Sequence, residues 1–234
     1  MTVGRAGSTS LLECLERFDD IAVPNRNVSC ESNELLYQRD IKEFMKAYSE
    51  LCKRPIRNID ELIDAFFEAN AKYPYAGFKT MPNRHKDYGA FVTRKDIQFI
   101  TLDRRDLAST AASFFVAEFI ETYRRRGEEH KQKFRFEREK DSSRVSGNLA
   151  YLHKGHRRLM RIPNAIHLYY EDLCNTAYAS QPLDEFFGRP IRLQNPKPPT
   201  HGSTYLENWD EFQDFVGRVW TGLNAKQPAG GSPG

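Results

Sequence analysis

The stretch Arg5-Ala6-Gly7-Ser8-Thr9-Ser10 leads directly into Leu11-Leu12-Glu13-Cys14-Leu15, and it indicates a loop followed by a helix. Its glycine permits a tight turn, the three hydroxyl side chains are hydrogen-bond donors, and Arg5 adds a fixed positive charge. The leucines and Phe18 recur at helical spacing, so the loop is expected at a helix N-terminus, where backbone N–H groups and the helix dipole favour an anion. The stretch therefore predicts a site for a phosphate-like group.

A second informative segment is the apolar stretch 96–103, which reads as a buried strand. Arg104 and Arg105 follow at its carboxyl end, and an apolar helical pattern runs from Ala108 to Phe119. Ser113 lies eight residues after Arg105.

Together these segments resemble the sulfotransferases that use 3′-phosphoadenosine 5′-phosphosulfate (PAPS). The matching motifs are R-x-G-S-T from Arg5 to Thr9 and R-D-x-x-x-x-x-x-S from Arg105 to Ser113. The resemblance implies that residues 5–10 bind the 5′-phosphosulfate of this cofactor, and that Arg105 and Ser113 bind its 3′-phosphate. Arginine suits the second position because a guanidinium binds phosphate through two hydrogen bonds and stays charged.

Two further segments resemble the same family. Residues 165–173 are similar to the late strand that ends in Y-E-D-[LM], which implies that Tyr170 contacts the adenine. The segment from Tyr75 to Thr80 resembles the strand that delivers a catalytic lysine to the sulfuryl group, and Lys79 holds that position.

The general base is the point at which the chain departs from the cytosolic aryl and steroid sulfotransferases. Those enzymes carry K-T-H at this strand, whereas this chain has Met81 after Lys79 and Thr80, and methionine cannot take a proton. The segment 28–34 resembles the G-E-x-N segment of bacterial and carbohydrate-type sulfotransferases, with Cys30 in place of the glycine. The resemblance implies that Glu31 is the base. Glu34 and His85 are the alternatives.

Family members close a basic loop near the C-terminus over the 3′-phosphate. The Pro-rich segment 195–203 occupies that part of this chain, so Lys197 and His201 are candidates for the contact. The charged segment 124–143 is interpreted as a solvated helix extension or a mobile insertion, with a substrate lid as the weaker alternative.

Composition favours one soluble domain over residues 1–224, followed by a disordered tail at 225–234 that is rich in Pro, Gly and Ser. The 35 Lys and Arg residues against 32 Asp and Glu give a net charge of +3, which is too small to indicate nucleic-acid binding. The four cysteines have no metal-site spacing, so no metal is expected. We expect a cytoplasmic protein, since no membrane span or signal peptide is visible.

The order of elements predicts a three-layer α/β fold around a mostly parallel sheet, with a P-loop-like phosphosulfate-binding loop. Strands are predicted at 1–3, 27–30, 75–80, 98–103 and 166–170. Helices are predicted from the loop to Phe18 and at 40–53, 59–73 and 209–220, and the helix at 59–73 starts at an Asn58–Glu61 capping box. The first strand is short for the family, so either it is a short strand or the natural domain starts upstream.

The predicted activity is in-line transfer of a sulfuryl group from PAPS to a hydroxyl or amine acceptor, which leaves adenosine 3′,5′-bisphosphate. The acceptor is expected to be a small metabolite, a sugar or a lipid-like molecule. A P-loop kinase is an alternative, although Ser8 stands where its loop lysine would follow the second glycine. A non-catalytic anion-binding module is the other alternative.

Overall fold

The computed structural model describes residues 1–2, 8–24, 28, 35–36, 40–82, 88–125, 133–175, 181–193 and 201–225. The predicted tail lies outside these ranges from residue 226 onward. So do several predicted site residues, namely Arg5, Ala6, Gly7, Glu31, Glu34, His85 and Lys197.

The described chain is a mixed α/β protein. Its helices are α1 (Ser8–Leu15), α2 (Ile41–Cys52), α3 (Ile59–Ala69), α4 (Tyr88–Val92), α5 (Leu107–Arg125), α6 (Arg138–Leu159), α7 (Tyr170–Leu173), α8 (Gln181–Phe187) and α9 (Trp209–Ala225), with a 3₁₀ turn at Gly202–Thr204. Its strands are β1 (Ile21–Ala22), β2 (Tyr75–Ala76), β3 (Ile100–Asp103) and β4 (Ile166–Tyr169).

The capping box before α3 is confirmed. The Asn58 side-chain carbonyl accepts a hydrogen bond of 2.9 Å from the Glu61 backbone N–H, and the Glu61 carboxylate accepts one of 2.9 Å from the Asn58 amide. These contacts satisfy a backbone donor that the first turn of a helix otherwise leaves open. The apolar face behind the cap is buried, with Leu62, Ile63 and Phe66 inaccessible to solvent.

The strands form two parallel pairs, β1 with β2 and β3 with β4. Parallel pairing needs a crossover connection, which α2 and α3 supply for the first pair and α5 and α6 for the second. The N-terminal residues contact both pairs, because the Thr2 N–H donates to the Thr80 carbonyl at 3.1 Å and the Leu102 N–H donates to the Met1 carbonyl at 2.9 Å.

The strands are shorter than predicted, and one was missed. β1 lies at Ile21–Ala22, within the buried run that continues to Pro24. The predicted strand at 27–30 lies outside the described residues apart from Val28. Sequence reasoning overlooked β1 because two strand residues followed by a proline are too few to produce an alternating pattern.

The hydrophobic core has two clusters. The first joins the sheets to α1, α2, α3 and α8, and the second lies among α5, α6 and α9. Phe136 is only 1% exposed in the second cluster, and Phe134 forms a β-bridge to Leu206. The prediction that 124–143 is solvated holds for most residues of 133–143, which are exposed, but it does not hold for these two aromatic side chains, which pack before the start of α6.

A tight contact holds the 3₁₀ turn against α5 and α9. The Gly202 N–H donates to the buried Ser109 hydroxyl at 2.9 Å. A Cβ atom added at Gly202 would overlap the six-membered ring of Trp209, so only glycine fits there. The His201 ring packs on the other side of that indole, with 4.8 Å between ring centroids.

Candidate functional site

The first turn of α1 lies beside the carboxyl end of β4. Tyr170, the first residue of α7, is 7% exposed, and its hydroxyl hydrogen-bonds with the side chains of Ser10 and Cys174. Burial raises the pKa of Tyr170, so the phenol keeps its proton and its hydrogen bonds at neutral pH. The structure thus brings together two predicted site residues. The predicted adenine contact of Tyr170 stays a prediction, since this ring is packed in the core.

Lys79 follows β2 and faces the same cavity as Ser8, the first residue of α1. The cavity has a volume of about 450 Å³ and reaches from these two residues into the interior. Lys79 is half-buried. A lysine ammonium beside a helix N-terminus adds charge to a position that already attracts anions. Of the predicted sulfuryl-binding residues, the structure thus brings Lys79 and Ser8 to one cavity, and their contact with a cofactor stays a prediction.

Arg105 is already engaged by a carboxylate. Its guanidinium donates two hydrogen bonds of 2.5 and 2.6 Å to Asp172, and it stacks over the Tyr169 ring at 4.2 Å. The side chain is 53% exposed, and Ser113 lies half-buried on α5. A phosphate that binds Arg105 would have to share the guanidinium with Asp172 or replace it, so the predicted 3′-phosphate contact stays a prediction.

The neighbouring Arg104 is the more unusual arginine. Its side chain is 8% exposed, and its nearest carboxylate oxygen, on Glu171, lies 3.8 Å from Nε. Among the residues that the structure describes, Nε and Nη2 have no hydrogen-bond partner. A buried charged donor without a partner costs about 1–3 kcal/mol or more, which an anionic ligand would offset.

Sequence reasoning assigned the anion contact to Arg105 and overlooked Arg104. No sequence signal distinguished the two, since both follow the last residue of β3 and their burial depends on packing against other segments. The Glu171 carboxylate accepts the N–H groups of Arg105 at 3.1 Å and of Asp106 at 3.2 Å, which fixes the turn between β3 and α5.

A histidine–carboxylate pair stands at the carboxyl end of β3. Nδ1 of His156 on α6 forms a very short contact with Oδ2 of Asp103, whose Oδ1 accepts the Arg104 N–H at 2.8 Å. The hydrogen bond to Asp103 raises the pKa of His156. In the described part of the chain, Nε2 has no hydrogen-bond partner. No sequence signal indicated the pair, whose members are 53 residues apart.

The helix that carries His156 also covers the chain beyond Lys79. The Tyr151 hydroxyl lies 3.9 Å from the Met81 sulfur, and the Arg158 guanidinium donates to the Pro82 carbonyl at 2.7 Å. Helix α6 therefore spans from the end of β2 to the end of β3 and brings the His156 pair to the edge that holds Lys79 and Arg104.

His201, a predicted contact of the cofactor, begins the 3₁₀ turn instead of pointing at this edge. Its Nδ1 hydrogen-bonds with the Ser203 hydroxyl at 2.7 Å, and its ring packs on Trp209. Its contact with a cofactor stays a prediction. The described ranges contain no group of three or more His, Cys, Asp or Glu side chains that could hold a metal ion.

Among the helices that are described, none is long and apolar enough to cross a membrane. No protein-family model, curated protein or solved structure matches this chain.

Proposed function

We propose that this chain is a PAPS-dependent sulfotransferase that transfers a sulfuryl group to an acceptor hydroxyl or amine by in-line displacement. One observation carries the proposal: a lysine and a helix N-terminus line one cavity beyond β2, and an arginine with open donors lies near Tyr170, which hydrogen-bonds to the same helix turn. These groups are Arg104, Lys79 and the first turn of α1. Such an arrangement suits a ligand with several separate anionic groups.

The proposal includes one central sheet in a three-layer fold. The hydrogen bonds of Met1 and Thr2 to Leu102 and Thr80 support it, because they align the two strand pairs on either side of the N-terminal residues. In the proposed sheet the order would be β1, β2, the N-terminal segment, β3 and β4. In open parallel sheets ligands bind outside the carboxyl ends of the strands, where Lys79 and Arg104 lie.

The residues present fit PAPS. The open donors of Arg104 suit a phosphate group, and the hydroxyls of Ser8 to Ser10 suit the 5′-phosphosulfate together with Arg5 to Gly7. Arg105, Ser113, Tyr170 and Lys197 are the further proposed contacts. The cofactor would supply a sulfuryl group on a phosphate leaving group, so the protein needs no covalent chemistry of its own.

The protein's own contribution is charge and position. Lys79 and Arg5 would stabilise the negative charge that develops on the sulfuryl oxygens and on the departing phosphate oxygen. Lys79 follows a strand that is packed in the core, so little reorganisation of its charge is needed as the reaction proceeds.

Glu31 remains the proposed general base, and His156 is the second candidate that the structure adds. Asp103 orients the His156 ring, which leaves Nε2 to exchange a proton with an acceptor. The raised pKa of His156 means that this side chain could act as a base only at higher pH.

Isothermal titration tests the cofactor class. We expect adenosine 3′,5′-bisphosphate to bind without Mg²⁺ and far more tightly than ATP. A preference for ATP with Mg²⁺ would favour a kinase, and binding of neither nucleotide would favour an interaction module.

Lys79→Ala should lower the affinity for adenosine 3′,5′-bisphosphate by about tenfold, since one charge-assisted contact is lost. Lys154→Ala, on the exposed face of α6, is the matched control and should bind as the wild type does.

Transfer of labelled sulfate from PAPS to a panel of sugars, alkyl alcohols and phenols tests the activity. Glu31→Gln should lower turnover by about 10²–10⁴ with cofactor affinity nearly unchanged. If Glu31→Gln keeps full activity and His156→Gln loses it, the base is His156.

A further inference from the structure

The cavity that begins at Lys79 continues far beyond the proposed sulfuryl site. It has a volume of about 450 Å³ and lies between α1, the chain from Tyr75 to Thr80, the segment 96–102 and the end of α8. It therefore extends toward the amino ends of β2 and β3, away from the edge where the cofactor is proposed.

The walls of this cavity are apolar along most of its length. Leu12, Phe78, Ile97 and Phe186 are among the side chains that line it. Such walls favour an apolar ligand, because burial removes roughly 25 cal/mol of unfavourable hydration for each Å² of apolar surface.

The polar groups of the cavity divide into two sets. Ser8, Lys79 and Thr80 lie at the α1 end. At the other end the Asp96 carboxylate pairs with Arg94 at 2.5 Å, and the Gln98 amide donates to the Asn164 carbonyl at 2.9 Å. The distal polar groups are engaged within the protein, and the α1 end is the one that lies beside the proposed sulfuryl site, so the reacting hydroxyl of a ligand belongs there.

The size of the cavity defines the size of its ligand. An apolar protein cavity of about 150 Å³ holds one benzene molecule. A volume of about 450 Å³ is three times larger, which corresponds to a ligand of on the order of 15 carbon atoms.

We propose that this cavity binds the apolar body of the acceptor, and that the acceptor is a long-chain aliphatic alcohol whose hydroxyl lies at Lys79 and Ser8. This inference rests on the proposed sulfotransferase function. The alcohol oxygen would form a bond to sulfur while the bond from sulfur to the 5′-phosphate oxygen breaks. The electron pair of that bond leaves with adenosine 3′,5′-bisphosphate, and the hydroxyl proton passes to the general base.

Gly77 offers a way to fill the cavity without disturbing the fold. It lines the cavity, and a Cβ atom added there meets no other atom within 4 Å. Its backbone N–H, which donates to the Ala22 carbonyl at 2.9 Å, is unaffected by a side chain. Gly147 on α6 also has open space around an added Cβ but does not line the cavity, so Gly147→Leu is the matched control for Gly77→Leu.

Binding is measured first, by titration of 1-decanol into the full chain without PAPS. Saturable binding with one site is expected for the wild type and Gly147→Leu, and binding at least roughly tenfold weaker is expected for Gly77→Leu. Equal affinity of the two variants, or no saturable binding by the wild type, would overturn the inference.

A decanol that carries a diazirine photolabel tests the cavity without any variant. Labelled peptides from 74–80 or 96–102 support the cavity, and labelling confined to other segments overturns it.

Transfer from labelled PAPS separates this inference from the proposed function. Formation of decyl sulfate, reduced at least tenfold in Gly77→Leu, supports both. If decanol binds in the cavity but adenosine 3′,5′-bisphosphate does not bind, the sulfotransferase function fails while the apolar site stands. If the bisphosphate binds and sulfate passes only to sugars, at equal rates in both variants, the apolar acceptor is wrong and the function stands.

Discussion

Replacement of Arg104 by methionine should separate folding from ligand binding. The side chain is 8% exposed, and Nε and Nη2 find no hydrogen-bond partner among the described residues. Methionine keeps the length of the buried stem and removes the charge. The Glu171 carboxylate, 3.8 Å from Nε, keeps its two backbone N–H donors. Removal of the unpaired buried donors should stabilise the fold by about 1–3 kcal/mol, and loss of the attraction between Arg104 and Glu171 should destabilise it by a similar amount. The free energy of unfolding should therefore change by less than about 1 kcal/mol.

The same replacement should have a large effect on the ligand. If Arg104 binds a phosphate group of adenosine 3′,5′-bisphosphate, loss of a charge-assisted contact costs about 1.5–3 kcal/mol, which is roughly a tenfold to 150-fold weaker affinity. Urea unfolding gives the first quantity and isothermal titration the second. Arg135→Met is the control, since that side chain is 67% exposed and lies 4.0 Å from its nearest carboxylate oxygen. A loss of more than about 3 kcal/mol in stability with unchanged affinity would identify Arg104 as a purely structural residue and refute the reasoning.

Three further predictions concern stability. The contact with Asp103 raises the pKa of His156, so the stabilising effect of this contact is complete below the ordinary pKa of 6.5 and is lost as pH rises through the raised pKa. In urea unfolding between about pH 6 and pH 9, the free energy of unfolding should therefore fall more steeply with pH for the wild type than for His156→Gln. Asn58→Ala removes the helix cap and should cost about 1 kcal/mol in the same assay, whereas an unchanged value would mean that water replaces the cap. Phe136→Ala leaves a void in the second cluster and should cost about 3–5 kcal/mol, and a cost below about 1 kcal/mol would show that the site collapses.

Local signals in the sequence predicted much of the fold. The apolar periodicity and the Asn58–Glu61 spacing placed α3, and the same periodicity placed α2 and α9 to within a few residues. Strands β2, β3 and β4 were predicted in the right segments, because buried apolar runs between turn residues leave few alternatives. β1 was missed, since its pairing with β2 depends on residues about fifty positions away.

The candidate site was less accessible to sequence reasoning because it depends on long-range contacts. The motifs identified Lys79 and Ser8, which the structure brings to one cavity. Sequence reasoning assigned the 3′-phosphate contact to Arg105 and not to Arg104, because the motif spacing does not indicate which of the two arginine side chains is buried. The pairing of His156 with Asp103 follows only from the packing of α6 across the strand ends.

Gly202 and Trp209 also govern how this sequence can diverge. An indole occupies the space that any side chain at Gly202 would need, so a descendant could gain a side chain there only after the tryptophan had been replaced by something smaller. The order of the two changes matters, since the larger residue cannot come first without disrupting the turn that Ser109 holds. A glycine with a tryptophan seven residues later, preceded by a buried serine on a long helix, is therefore a combination whose members constrain one another's replacement.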